Sequence, residues 1–220
     1  MSAKCPVGEN NCTLLDEVGQ LRARVDELRM LVVTDELTGL NNYRHLLWAL
    51  DQELERLHRH GGSFCVLVLD CDNLKRINDN YGHDFGNKVL KAAGTFLQRS
   101  LRKLDVACRF GGDEFVIVAP SANLREGVAL AERIRSGIAA MQLRAGEEEV
   151  TLRVSIGVDC FKPEDQLLPE QVLDRADRYL LKAKQAGKNI VCSPELPDAA
   201  SSMNADEKSA MMESFGGEKT

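Results

Sequence analysis

No apolar run in these 220 residues approaches the roughly 18 that a membrane span needs, and the opening Met1-Ser2-Ala3-Lys4-Cys5 has no signal-peptide core. Positive charge is not in excess either. Lys and Arg number 28 against 34 Asp and Glu, a net charge of −6, which excludes bulk attraction to nucleic acid or anionic membrane. An anionic substrate therefore needs a local cluster of Lys and Arg. An even set of cysteines is also lacking. The seven are scattered, and Cys65, Cys71, Cys108 and Cys160 lie in or beside apolar runs. That pattern predicts reduced, buried thiols in a cytoplasmic protein. Cys5 and Cys12 have no matching second pair, so they make a weak metal site. What remains, 44% apolar and 28% charged residues, is the composition of a globular domain with extensions.

The densest local signal is Arg109-Phe110-Gly111-Gly112-Asp113-Glu114-Phe115. Asp105–Phe110 before it and Phe115–Ala119 after it read as strands, and the two glycines as a tight hairpin with positive φ. Asp113 and Glu114 leave that turn together. On a strand they face opposite ways, so they are expected to do different work. Gly-Gly hairpins followed by acidic residues also occur as plain turns.

Residues 1–33 carry Leu14, Val18, Leu21, Val25, Leu28 and Val32, a heptad with Val at a and Leu at d, which favours a parallel two-stranded coiled coil. The competing reading is an amphipathic helix packed on its own domain. About three heptads are marginal alone. Thr34–Arg44 forms a capped turn into a helix from Tyr43 to about His60, ended by Gly61-Gly62. Phe64–Leu69 is a short buried strand ending in Asp70-Cys71-Asp72. A carboxylate at a strand end, facing another from the hairpin, suits a divalent metal beside phosphate. Residues 73–87 read as a helix turn followed by a loop. Helices are expected from Lys88 to about Leu101, Leu124 to Met141 and Pro169 to about Ala186. Gly146 to Glu149 makes a turn, and the alternation from Val150 to Val158 predicts one half-buried strand. Asn78, His83 and Asn87 fit turn and cap chemistry. Lys184 and Lys188 fit the C-terminal end of a helix dipole. Residues 194–220 read as a disordered tail.

Four of these strings, in this order and spacing, resemble the GGDEF family of diguanylate cyclases. They are Asp35-Glu36-Leu37-Thr38-Gly39-Leu40, the Asp70-to-Asn87 segment, the Arg109–Phe115 signature, and Asp177–Asn189 at the close. The resemblance covers about residues 34–193. It implies an α/β (α+β) fold, palm-like and ferredoxin-like as in nucleotidyl cyclases, behind an N-terminal helical stalk. It implies condensation of two GTP into cyclic di-GMP with release of pyrophosphate, Mg²⁺ or Mn²⁺ as cofactor, and a homodimer through the coiled coil. Asp70, Asp113, Glu114 and the Cys71 carbonyl are then the metal ligands, and Asp113 and Glu114 the catalytic pair. Asn78, His83 and Asn87 line the nucleotide, while Lys75, Lys184 and Lys188 take phosphates. Arg102 and Asp105 match the family's inhibitory Arg-x-x-Asp, and Arg133 its second product-binding arginine, because an Arg fork suits phosphate and guanine. Four positions depart from the pattern: Leu74 for an aromatic, Leu181 for Tyr, Lys188 for Arg and Asn87 for Asp. A carboxylate at 87 accepts from two guanine donors, whereas an amide accepts from one. The expectation is GTP with a raised KM and some tolerance of ATP. The alternative is a GTP- or cyclic di-GMP-binding module without turnover. No receiver, PAS or membrane sensor accompanies the motifs, so the input is expected from a regulatory protein on the stalk.

Overall fold

The computed structural model describes residues 17–21, 24 and 33–196. From residue 33 onward five helices and seven strands follow in order: α1 Tyr43–His60, β1 Phe64–Asp72, α2 Leu74–Tyr81, α3 His83–Ser100, β2 Val106–Gly111, β3 Glu114–Pro120, α4 Leu124–Ala139, β4 Leu143–Ala145, β5 Glu148–Val150, β6 Arg153–Phe161, α5 Pro169–Gln185 and β7 Val191–Cys192. Their ends follow local chemistry. The Asn42 side chain accepts from His45 N–H at 3.1 Å and opens α1, and Gly61 at φ 69° closes it. Asn123 and Glu126 form a reciprocal capping box at α4. Pro169 occupies the first turn of α5.

The main sheet runs β2-β3-β1-β6-β7, with β4-β5 a separate hairpin. β1 is central and pairs antiparallel with both β3 and β6. Its alternate side chains feed two cores. Cys65, Leu67 and Leu69 pack with Val89, Ala93 and Leu97 of α3 and Ala131, Ile134 and Ile138 of α4. Phe64, Val66 and Val68 pack on the other face with Leu46, Leu50, Leu54 and Leu57 of α1 and Val172, Ala176 and Leu180 of α5. This period-two division pins the register, since a one-residue slip would exchange the two cores.

Four expectations change. Residues 79–87 are not a loop: α2 runs to Tyr81 and α3 begins at His83, with Gly82 alone between them. Gly82, at φ 83°, turns the chain within one residue, which only glycine does without steric cost. Val150 does not belong to β6. It ends β5, and β6 is buried on both faces instead of one, because helices cover both sides of its sheet. β1 continues past Leu69 to Asp72, so its three last residues are strand. Finally, neither Gly111 nor Gly112 has positive φ. A bulge between Arg109 and Gly111 absorbs the turn's twist.

Val18 and Leu21 of the heptad lie in helical residues and are exposed. Leu14, Val25, Leu28 and Val32 lie outside the described residues, as do Cys5, Cys12 and residues 197–220 of the tail.

Gly157 on β6 is a close-approach position. A Cβ there would fall inside contact distance of Leu180 N, 2.5 Å from Ala176 O and 2.8 Å from Tyr179 C, all backbone of α5. Helix and strand can meet only because the side chain is missing. Gly157→Ala is therefore expected to lower stability by about 3 kcal/mol, the upper range for overpacking. Denaturant melts check this; an unchanged midpoint would mean that α5 does not press on β6 here.

Candidate active site

The expected carboxylates lie where β1 ends and β3 begins. Asp70 and Glu114 are direct partners in the β1–β3 register, so their side chains leave on one face. Asp113 occupies the turn between β2 and β3, and its carbonyl accepts from Cys71 N–H at 3.1 Å, which fastens the turn to the end of β1. Lys184, in the last turn of α5, reaches across and pairs with Asp70 through Nζ to Oδ2 at 2.9 Å. Burial raises the Asp70 carboxyl above its ordinary value, against the opposing pull of Lys184. Burial, then the Asp70 charge, raises Glu114. Asp113 adds to both shifts, so it shares their field. In front of the turn, a Cβ on Gly112 would meet nothing within 4 Å. That open backbone lets another molecule come close.

A thread of polar contacts holds the hairpin from behind. Arg109 donates to both oxygens of Asp35 at 3.2 Å and to the Gly112 carbonyl at 3.2 and 2.7 Å. Thr38 donates to Asp35 through its N–H at 2.8 Å and its hydroxyl at 2.7 Å. Burial pushes the Asp35 carboxyl up, but these donors and the Arg109 charge outweigh it and hold it below its usual value. The turn that leads into α1 also bonds to β2, with Asn41 N–H donating to Ala107 O at 3.1 Å and Arg109 N–H to Asn41 O at 2.8 Å.

Asp72, to which spacing alone gave no role, is buried and structural. It accepts from the Ser155 hydroxyl at 2.7 Å and from Asn189 N–H at 2.9 Å. That clamp holds the segment after α5, where Gly187, Lys188 and Asn189 all have positive φ. Lys188 consequently donates to Asn73 Oδ1 at 2.8 Å, beside the start of α2. Asn78 lies against Gly86, where a Cβ would collide with Oδ1 and sit 2.9 Å from Cγ. His83 and Asn87 are exposed on the first turns of α3, and Lys75 is exposed on α2. Cys71 is fully buried and its thiol is pushed up by burial, so only its backbone is available to a ligand.

Asp177, also missed, faces Glu114 across a cavity of about 260 Å³ with Phe110, Leu173 and Asp174. Its position four residues after Leu173 on α5 was the available signal. A different cavity, about 140 Å³, brings Arg102, Asp105 and Arg133 together with Glu126 and Leu130. Asp105 Oδ2 accepts from Arg102 N–H at 2.9 Å, and Arg133 donates to Ser100 O at 2.9 Å. A third, of about 270 Å³, lies along the Asn73, Arg76 and Asn80 face of α2 and includes none of the expected nucleotide residues.

Residues 32–190 match the family described as "Diguanylate cyclase, GGDEF domain". The chain belongs to that family. It is 41% identical over 167 residues to the diguanylate cyclase DgcP of Pseudomonas aeruginosa, covering 76% of this chain and 25% of that protein. It is 38% identical over 173 residues to the response regulator PleD of Caulobacter vibrioides, covering 78% and 38%. The chain thus spans well under half the length of these relatives. Among solved structures, the GGDEF domain of DgcB from Caulobacter crescentus, in complex with c-di-GMP, superposes with a TM-score of 0.70 at 30% identity, covering 74% of this chain and 94% of that one. The diguanylate cyclase SiaD of Pseudomonas aeruginosa, in complex with its activator SiaC, gives 0.70 at 33%, covering 82% and 69%. The sheet and helices described above are therefore the palm-like fold of this family.

Both site carboxyls hold protons more tightly than free side chains do, so ionising them costs folding stability as pH rises through their ordinary values of 3.8 and 4.5. Lys184 opposes that rise. In Lys184→Met, Asp70 and Glu114 are expected to titrate at still higher pH in metal-free protein. Carboxyl-carbon NMR titration reads both groups; unchanged curves would show that the ammonium does not sit on Asp70.

Proposed function

We propose that this chain is a diguanylate cyclase, condensing two GTP into cyclic di-GMP and two pyrophosphates. The observation that carries the reading is the pairing of Asp70 with Glu114 in front of the open Gly111-Gly112 turn, with a lysine held against them. Membership of the family supports it.

The donor set fits a hard divalent cation. Among the described residues no three His, Cys, Asp or Glu side chains converge as a ready metal cluster. But Asp70 and Glu114 face each other, both resist ionisation, and Lys184 already supplies a positive charge there. All-oxygen donors of this kind suit Mg²⁺ or Mn²⁺. Asp70, Asp113, Glu114 and the Cys71 carbonyl would hold it. When bound, such an ion neutralises phosphate charge and acidifies a nearby hydroxyl.

The residues divide the remaining work. Lys184 exchanges its contact with Asp70 for a phosphate oxygen, and Lys188 and Lys75 bind the rest of the triphosphate. Asn78, His83 and Asn87 orient the base, and the amide at 87 relaxes discrimination between guanine and adenine without reversing it. Asp113 takes the 3′-hydroxyl proton onto its carboxylate, and Glu114 orients that hydroxyl. Attack must be in line on the α-phosphate of a second GTP. One such site holds one GTP, so two domains, residues 34–193 of each chain, must face each other. The 1–33 stalk supplies that pairing. The activator complex of the similar SiaD supports a regulatory protein acting on this chain as well. Arg102, Asp105 and Arg133 bind the product in their shared cavity and arrest turnover.

Asp113→Ala and Glu114→Ala are each expected to reduce cyclic di-GMP synthesis at least about 100-fold, with the circular dichroism spectrum unchanged. Turnover with GTP and Mg²⁺, resolved by mass, is the assay. Near-normal rates in either variant would overturn the assignment, and a folded wild type that binds GTP without product would mark a binding module.

Arg102→Ala is expected to leave the initial rate intact and raise the inhibitory concentration of cyclic di-GMP at least tenfold, about 1.4 kcal/mol of binding. Inhibition curves measure this. A superimposable curve for the variant would reduce the Arg-x-x-Asp to a turn.

A further inference from the structure

Two thiols that this reaction does not use lie side by side at the other end of the sheet. Cys65 on β1 and Cys160 on β6 are direct partners in antiparallel register. Such partners have Cα atoms about 4.5–5.5 Å apart, inside the roughly 4.4–6.8 Å that a disulfide spans. Both side chains leave on the α4 face, where Cys65 belongs to the core and Cys160 packs against it. Both sulfurs also reach one acceptor: Ala122 O lies 3.5 Å from Cys65 Sγ and 3.8 Å from Cys160 Sγ. Cys65 Sγ is 3.1 Å from Asn123 O as well.

Their exposure differs in a useful way. Cys65 is fully buried and Cys160 half-buried. The neighbouring Cys160 and burial raise the Cys65 thiol, while the neighbouring Cys65 holds Cys160 below its ordinary value. Thiolate character therefore falls on the accessible member. No other described cysteine competes. Cys71 stands six residues along β1, roughly 20 Å away at strand rise. Cys108 faces the opposite core, with its thiol pushed up to about 12 by burial. Cys192, on β7, pairs with Gly157 of β6.

We infer that Cys65 and Cys160 are a reversible disulfide site. A hydroperoxide oxidises the Cys160 thiolate to a sulfenic acid, itself reduced to hydroxide or alkoxide. The Cys65 sulfur then attacks the Cys160 sulfur, and the S–O bond breaks with release of water. In sum, two thiols and one hydrogen peroxide give one disulfide and two waters, and a dithiol reverses it by exchange. The bridge removes S–H donors from the Ala122 and Asn123 carbonyls at the start of α4. That helix carries Arg133, so oxidation bears on the cavity it shares with Arg102; this last consequence rests on the proposed function, whereas the bridge does not.

The test uses the folded full-length chain, treated with hydrogen peroxide, trapped with N-ethylmaleimide and mapped by tryptic peptides. The expected product has lost two hydrogens and links residues 60–75 to the peptide bearing Cys160. Fragment ions place the bond at Cys65 and not Cys71, and dithiothreitol restores both thiols. In Cys160→Ser the link at Cys65 is absent; should that variant not fold, the wild-type map decides alone. Recovery of Cys65 as the maleimide adduct while Cys160 is overoxidised or unchanged, or a bond between other cysteines only, overturns the inference. No turnover is measured, so this outcome is independent of whether the chain makes cyclic di-GMP.

Discussion

The antiparallel register of β1 between β3 and β6 is the constraint on which the molecule rests. It sets Asp70 against Glu114 on one side and against Ser155 on the other. The same register sends Leu67 and Leu69 to one core and Val66 and Val68 to the other. Sliding a strand by one residue would exchange the side chains of the two cores and turn Asp70 away from the Glu114 face, at a cost no local contact offsets. A hydrophobic effect with no directional preference thereby fixes a polar constellation at the strand ends.

That constellation is held under electrostatic load. Asp70 and Glu114 share one face of the sheet and are partly desolvated, with Asp113 adding to their field and Lys184 as the compensating charge. Like charges placed this close favour whatever cation or proton relieves them. The support behind them is neutralised in advance: Arg109 joins Asp35 to the Gly112 carbonyl, and Ser155 and Asn189 satisfy Asp72. The open space lies in front of the turn and the satisfied bonds lie behind it. Such a division lets a site bind a polyanion without its scaffold rearranging. The Asp35–Arg109 pair also means that the turn leading into α1 and the signature turn share one arginine, so a pull on the first is felt at the second.

The two ends of the sheet carry different chemistry for related reasons. At the carboxylate end, the strand partners Asp70 and Glu114 are acidic, and Lys184 pairs with Asp70. At the opposite end, the partners Cys65 and Cys160 are soft and oxidisable, beneath the first turn of α4. That helix then runs on to Arg133 and the cavity of Arg102 and Asp105.

The sequence by itself determined the elements with local causes. Asn42 and Gly61 bound α1, Pro169 opens α5, and the Phe64–Leu69 run forms the buried strand, because caps, φ preferences and periodicity act over a few residues. It also determined the family, through four strings in order. It misplaced the 79–87 segment, where Gly82 alone joins two helices, and merged Val150 with β6, because alternation does not reveal where a chain changes partner. Only tertiary structure decided that Lys184 sits on Asp70, that Asp72 clamps Ser155 and Asn189, that Asp177 faces Glu114, and that Cys65 meets Cys160. Those pairs are separated by up to 117 residues. Their contact depends on strand register and helix packing, which are properties of the whole buried core and are written in no local spacing.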